Sequence, residues 1–182
     1  TKQKPYKQLI MKKLTILALA ALFAVGASAQ DVFKQVKKMK TTEEVEQAIK
    51  ANLSSMPDQE KAECYNKLAT MYNKVVTDIT SKNQENMIMQ KPQIPLDENF
   101  YNAAYKALEA AELAYKYDQL PNLKGKIAPK FENLGKDIFQ NRANVLNGGI
   151  FFSEKNDIPT TIKYFEAFIN TSNSEMFKNI PE

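Results

Sequence analysis

Side chains that could do acid–base or nucleophilic chemistry are few in this chain. It has no His and one Cys, which excludes His-based catalysis, Cys/His zinc sites and an internal disulfide. The more clustered carboxylates are Asp97-Glu98, Glu109 with Glu112, and Asp137. They fall at predicted helix starts or on polar helix faces, where capping and solvation account for them. We therefore expect no catalytic residue, no metal site, no cofactor and no enzymatic activity.

Two further features invite a chemical interpretation and fit a structural one better. Cys64 lies near the start of a predicted helix, where the helix N-terminus can lower a thiol pKa, but we interpret it as a small, partly buried side chain. Asn147-Gly148-Gly149 looks like part of a phosphate-binding loop. It has no neighbouring Lys and no preceding strand, and it falls inside a helical pattern.

The net charge of the chain argues against nucleic-acid binding. The 25 basic and 21 acidic residues give a formal charge of +4. Residues 1–29 hold five Lys and no acid, so 25 − 5 leaves 20 basic against 21 acidic residues in the remainder. Arg142 is the single Arg, and neither Arg forks nor a concentrated positive face is visible in the sequence.

The first thirty residues predict export. Residues 1–10 precede Met11, which we interpret as the true start, and they are excluded from the fold. Residues 11–29 have the layout of a signal peptide, with two Lys, an apolar run and the site Ala27-Ser28-Ala29. The apolar run of twelve is shorter than the roughly 20 residues of a membrane span. We expect cleavage after Ala29 and a periplasmic or secreted mature chain, 30–182, without a membrane span.

Spacing of apolar residues by three and four predicts an all-α mature chain, since no segment alternates as a strand would. Loops are expected at 82–96 and 118–129, where Pro recurs. The predicted helical regions are 31–53, 59–80, 98–117, 130–154 and 158–170. Within the first region, Thr42 followed by two Glu predicts an N-cap and an acidic first turn, and Asp97 predicts a cap for the third.

Two helix pairs carry a recurring pattern of bulky and small residues. The later copy has Val145, Gly148-Gly149 and Phe152 on one helix, then Thr161, Phe165 and Phe168 on the next. Small residues at Gly149 and Thr161 allow the two helices to cross closely. The earlier copy has Tyr65, Leu68-Ala69 and Tyr72 on one helix and Ala104, Leu108 and Ala111 on the next. Its two halves are separated by 23 more residues than the halves of the later copy.

This pattern resembles the tetratricopeptide repeat. The resemblance implies antiparallel helix pairs, about 62–115 and 142–172, stacked as a short solenoid in a single domain. With the export signal, the chain is similar to periplasmic repeat proteins of Gram-negative bacteria, which implies a scaffold that binds a protein or peptide. The implied groove-side residues are Asn66, Thr70 and Asn73 in the first copy and Asn147 and Ile150 in the second.

Other interpretations stay open from the sequence. The groove-side residues can equally be a solvated face. A small-molecule or lipid carrier with a pocket between helices is one alternative function, and an enzyme is a weaker one. The last helix presents Ile162, Phe165, Phe168 and Ile169 with only twelve residues after it. We therefore expect an incomplete solenoid whose last helix is covered by further repeats, a partner or a second copy.

The export signal makes a direct prediction about the N-terminus. We expect the mature protein to begin at Gln30 and to be found outside the cytoplasm, because the small residues before Gln30 form the cleavage site. Mass spectrometry of the N-terminal peptide from the native host is the measurement. An intact Met11 in a cytosolic fraction would contradict both the cleavage and the export.

Overall fold

The computed structural model describes residues 32–178 and residue 180; the expected signal peptide, 11–29, and residues 1–10 lie outside the described part. The described residues are all-helical and contain no strand, which confirms the predicted class. Their helices, in chain order, are α1 (Val32–Val36), α2 (Thr42–Asn52), α3 (Asp58–Ile88), α4 (Glu98–Asp118), α5 (Leu134–Ile138), α6 (Gln140–Glu154) and α7 (Ile158–Ser172).

Helices adjacent in sequence are also adjacent in space. The α3 helix packs along α4, α4 contacts α6, and α6 packs along α7, while α1 and α2 lie against α3. The first pair is antiparallel, because Tyr65 near the start of α3 stacks on Tyr117 near the end of α4, with ring centroids 5.9 Å apart. The second pair is antiparallel too, since Phe152 late in α6 meets Tyr164 in the first half of α7 at 5.1 Å.

The α4 helix is the centre of the core and is lined with alanine. Because alanine has no atoms beyond Cβ, two helix backbones can approach α4 closely. Its large buried anchors are Phe100, which precedes the alanines, and Leu108, which lies in the middle of them. The alanines that are buried are Ala103, Ala104, Ala107, Ala110, Ala111 and Ala114. The predicted alanine stripe of this helix is confirmed, as is its cap, since Asp97 Oδ1 accepts the N–H of Phe100 at 3.1 Å.

The loop expected at 82–96 is wrong in its first half, because α3 continues to Ile88. Residues 82–88 contain neither Gly nor Pro and consist mostly of helix formers, so the helix persists without an apolar stripe. The linker then folds back on the helix. The Asn83 side chain donates to the Ile94 carbonyl at 2.9 Å and accepts the Ile94 N–H at 2.7 Å.

The helical region predicted at 31–53 is two helices, and its N-cap lies one residue earlier than predicted. Thr41, not Thr42, caps α2: its Oγ1 accepts the N–H of Glu44 at 3.2 Å, and Glu44 Oε2 accepts the N–H of Thr41 at 3.2 Å. This reciprocal capping box satisfies two helix-end donors at once. It sets the start of α2 and the turn away from α1.

The helix predicted at 130–154 is likewise split, into α5 and α6, and it begins only at Leu134. The buried Asp118 side chain accepts the N–H groups of Lys130 and Phe131, at 2.8 and 2.9 Å. A carboxylate on the preceding helix thus satisfies these two donors and holds the segment outside the helical conformation. The sequence pattern of apolar residues continues through this segment and gave no sign of the break.

Gly148 and Gly149 allow α6 to pack closely on its neighbours, as the predicted role of Gly149 requires. A Cβ at Gly148 would lie 2.5 Å from the Tyr164 ring and 3.2 Å from Cβ of Tyr101, and a Cβ at Gly149 would lie 2.5 Å from the Phe165 ring. The two glycines therefore accommodate aromatic side chains of α7, and Gly148 also brings α4 into contact.

The outer face of α7 is apolar and exposed in part. Ile162 and Ile169 are 51% and 61% exposed, whereas Phe165 and Phe168 are half-buried. Past α7 the chain turns back rather than forming a further helix, and Phe177 is buried beside Phe139 with ring centroids 5.7 Å apart. Within the described part of the chain, no helix combines the length and apolarity that crossing a membrane requires.

The close packing at Gly148 predicts a loss of stability on adding one methyl group. We expect Gly148→Ala to lower the free energy of unfolding by about 2 kcal/mol. A Cβ only 2.5 Å from the Tyr164 ring puts the overpacking cost at the upper end of its usual range, about 3 kcal/mol, and the helix propensity of Ala returns about 1 kcal/mol. The free energy of unfolding is measured by urea denaturation, with circular dichroism as the signal. Asn147→Ala, at an exposed neighbouring position, is the control and should be neutral or slightly stabilising. Equal stability of the two variants would contradict the packing.

Candidate functional site

A cleft of about 440 Å³ opens between α3 and the segment 130–138, and we call it the amide cleft. Three of the five predicted groove residues, Asn66, Thr70 and Asn73, line it. Their spacing of four and three residues places them on one face of α3. The opposite wall is formed by Lys130, Phe131, Asn133, Leu134, Asp137 and Ile138.

The wall opposite α3 depends on a long-range polar anchor. Asp118, at the end of α4, holds the backbone of Lys130 and Phe131 through its side chain. The Lys130 ammonium then reaches α3 and pairs with Glu63 Oε1 at 2.6 Å. The buried Asp118 thus binds the backbone of this segment, and Glu63 of α3 binds its Lys130 side chain. Together the two contacts set the distance between the walls of the cleft.

Asn73 closes one end of the amide cleft. Its Nδ2 donates to the Asp137 carbonyl at 3.2 Å, and its Oδ1 accepts from Asn141 Nδ2 at 2.9 Å. Asn141 is itself buried, and its Oδ1 accepts from Asn144 Nδ2 at 3.2 Å. Asn73 is thus committed to joining α3 to α5 and α6, and its amide is a structural link rather than a free contact point.

Other groups in the amide cleft keep hydrogen-bonding capacity. The side chains of Asn66 and Asn133 have no hydrogen-bond partner among the described residues, and the Thr70 hydroxyl donates to the Asn66 carbonyl at 2.8 Å. Leu134 and Ile138 are buried at the apolar base of this wall. The cleft therefore offers amide donors and acceptors above an apolar floor, an arrangement that suits a ligand rich in amide groups.

Asn147 and Ile150, the other two predicted groove residues, do not line the amide cleft. Both are exposed on α6, and Ile150 is 48% exposed. The five predicted residues therefore do not share one cleft. The wall formed by 130–138 was not predicted, because the spacing of apolar residues indicates one continuous helix there.

Burial shifts the pKa of two of the candidate catalytic groups, Cys64 and Glu112. Cys64 is fully buried, and burial, with a smaller effect of the Glu60 and Glu63 carboxylates, raises its pKa to about 12, so the thiol stays protonated. Burial also raises the pKa of Glu112. Across residues 32–178, no group of three or more His, Cys, Asp or Glu residues is placed to hold a metal ion.

One polar cluster joins three helices and was not predicted. Glu46 of α2 accepts hydrogen bonds from the Tyr72 hydroxyl at 2.8 Å and from Lys106 Nζ at 2.7 Å. Lys106 also donates to the Tyr72 hydroxyl at 3.1 Å. Burial raises the pKa of Tyr72, so its phenol stays protonated and donates to Glu46. The three hydrogen bonds make this cluster a brace between α2, α3 and α4.

Comparison with known proteins adds no assignment to this site: no family model, no curated protein and no solved structure matches the chain.

Proposed function

We propose that this chain is an exported helical scaffold that binds a protein or peptide partner, and that its helix pairs stack in the manner of tetratricopeptide repeats. The order of packing supports this arrangement, because α3 pairs with α4, α6 pairs with α7, and α4 and α6 join the two pairs. Its role outside the cytoplasm rests on the signal-peptide layout of residues 11–29.

The observation that carries the proposal is the amide cleft. Its volume of about 440 Å³ lies within the range of ligand-binding clefts. An extended peptide presents alternating N–H and C=O groups. The side-chain amides of Asn66 and Asn133 can accept hydrogen bonds from the peptide N–H groups and donate hydrogen bonds to its C=O groups. Apolar side chains of the same peptide would face Phe131 and Leu134. Because these contacts are made to the peptide main chain, they depend little on the sequence of the peptide, which suits a scaffold that binds a peptide partner.

A substitution at the mouth of the amide cleft tests the proposal. Short peptides are selected by phage display on the immobilised protein, and their dissociation constants are then measured by fluorescence anisotropy. We expect Thr70→Lys to weaken the selected peptides about tenfold or more, because a long side chain at this exposed position fills the cleft.

Thr77→Lys is the matched control. Thr77 is also exposed on α3, and its hydroxyl bonds to a carbonyl of its own helix, Lys74, as Thr70 does to Asn66. The control variant should bind within about twofold of the unmodified protein. Peptides that bind both variants equally well would show that the amide cleft is not the peptide site, and a selection without any specific binder would count against the function itself.

A small-molecule carrier is the second candidate, and one observation favours it. A cleft of about 330 Å³ lies between α4 and α7 and is lined by apolar residues that include Leu108, Leu113 and Ala167. We expect a carrier to retain its ligand through purification, so native mass spectrometry should then show an added mass that disappears on denaturation. A single unliganded species would contradict this alternative.

Self-association through the exposed Ile162 and Ile169 of α7 stays a further prediction.

A further inference from the structure

Five lysines surround an open groove on the face of α3 next to the one that lines the amide cleft. The groove has a volume of about 670 Å³ and lies between α3 and the segment 37–43. We call it the basic groove. Its lysines are Lys37, Lys38, Lys40, Lys67 and Lys74. No concentrated positive face is visible in the sequence, because Lys67 and Lys74 of α3 join the three lysines that precede α2 only in the fold.

The elements beside the basic groove are firmly placed. Val36 and Val45 are fully buried on either side of the 37–43 segment, so the lysines between them are held at the surface. The capping box of Thr41 and Glu44 fixes the turn into α2. Lys67 and Lys74 are seven residues apart on α3 and so project from the same face.

The positive charge of the basic groove is only partly neutralised. Lys74 pairs with Asp78 at 2.8 Å. The ammonium groups of Lys38, Lys40 and Lys67 form no ion pair with a carboxylate of the described residues. The groove is lined by five lysines and two acids, Glu43 and Asp78, and a third carboxylate, that of Glu44, is held at its edge by the N–H groups of Lys40 and Thr41. Basic residues thus outnumber acidic ones here by more than in the whole chain, which has 25 basic and 21 acidic residues. This imbalance attracts an anionic partner.

Apolar side chains lie among the lysines. Met39 and Met71 are half-buried and pack against the core, and Val75 is 41% exposed. Methionine adapts its shape to an inserted apolar group. The basic groove thus combines unpaired cations with an adaptable apolar floor, which suits a ligand that carries both carboxylates and an apolar side chain.

We propose that the basic groove binds an acidic peptide segment that presents an apolar side chain between its carboxylates. The lysines meet the carboxylates, and the floor of Met39, Met71 and Val75 receives the apolar side chain. A nucleic acid fits this groove poorly, because it is lined by neither Arg nor an aromatic residue on which a base could stack. A concave surface also fits an extended peptide better than a flat membrane. The site is separate from the amide cleft and does not depend on the function proposed there.

Fluorescence anisotropy with a labelled peptide, Asp-Glu-Leu-Glu-Asp, tests the proposal. We expect saturable binding that weakens as salt rises, and weaker binding of Asp-Glu-Gly-Glu-Asp, which lacks the apolar side chain. The variant Lys38→Glu/Lys40→Glu should weaken the first peptide about tenfold or more, since each inverted charge turns an attraction into a repulsion. Both lysines are exposed, and neither makes a side-chain contact that the fold requires.

The matched control is Lys124→Glu/Lys126→Glu, which inverts two exposed lysines with the same spacing, outside the basic groove. It should leave binding of the acidic peptide within about twofold. Equal weakening by both variants would show attraction to net charge alone and would overturn the proposal. So would binding to vesicles of phosphatidylcholine and phosphatidylglycerol without peptide binding, equal affinity for the Leu and Gly peptides, or no saturable binding at all.

Discussion

Close packing around the alanine surface of α4 is the constraint on which the rest of the structure depends. Alanines on neighbouring stripes of this helix are buried, so α3 and α6 can both pack on it. A larger residue on that surface would push one partner helix away, because protein cores have no spare volume. Gly148 plays the matching part on α6, where it makes room for Tyr164 and Tyr101. Both helix pairs therefore depend on small residues at their shared centre.

Polar contacts between helices fix their relative positions more specifically than apolar packing alone would. The Glu46, Tyr72 and Lys106 brace joins α2, α3 and α4, and the bond from Asn141 to Asn73 joins α6 to α3. Such bonds add little net stability each, but a shifted register would leave the buried side chains of Tyr72 and Asn141 without these partners, which is costly. Asp118 acts in the same way on the backbone of 130–131 and so forms one wall of the amide cleft.

The two candidate binding surfaces are two faces of one helix. The amide cleft uses Asn66, Thr70 and Asn73, and the basic groove uses the residues that follow each of them, Lys67, Met71 and Lys74. One residue along an α-helix is a rotation of about 100°, so the two sets face different neighbours. One surface is neutral and rich in amides, and the other is cationic with an apolar floor. Two peptides of different chemistry could therefore contact α3 without competing for the same groups.

The sequence by itself determined the helical class, the alanine stripe of α4, the Asp97 cap and the closeness of α6 to α7, because each follows from local spacing or from one residue type. It also placed Asn66, Thr70 and Asn73 on one face, since helix geometry requires it. Only the tertiary structure decided what that face meets. The cleft wall depends on the bond from Asp118 to a backbone twelve residues later, and the basic groove depends on lysines from α3 lying beside those that precede α2. Contacts between distant segments leave no periodic signal in the chain, so packing alone establishes them.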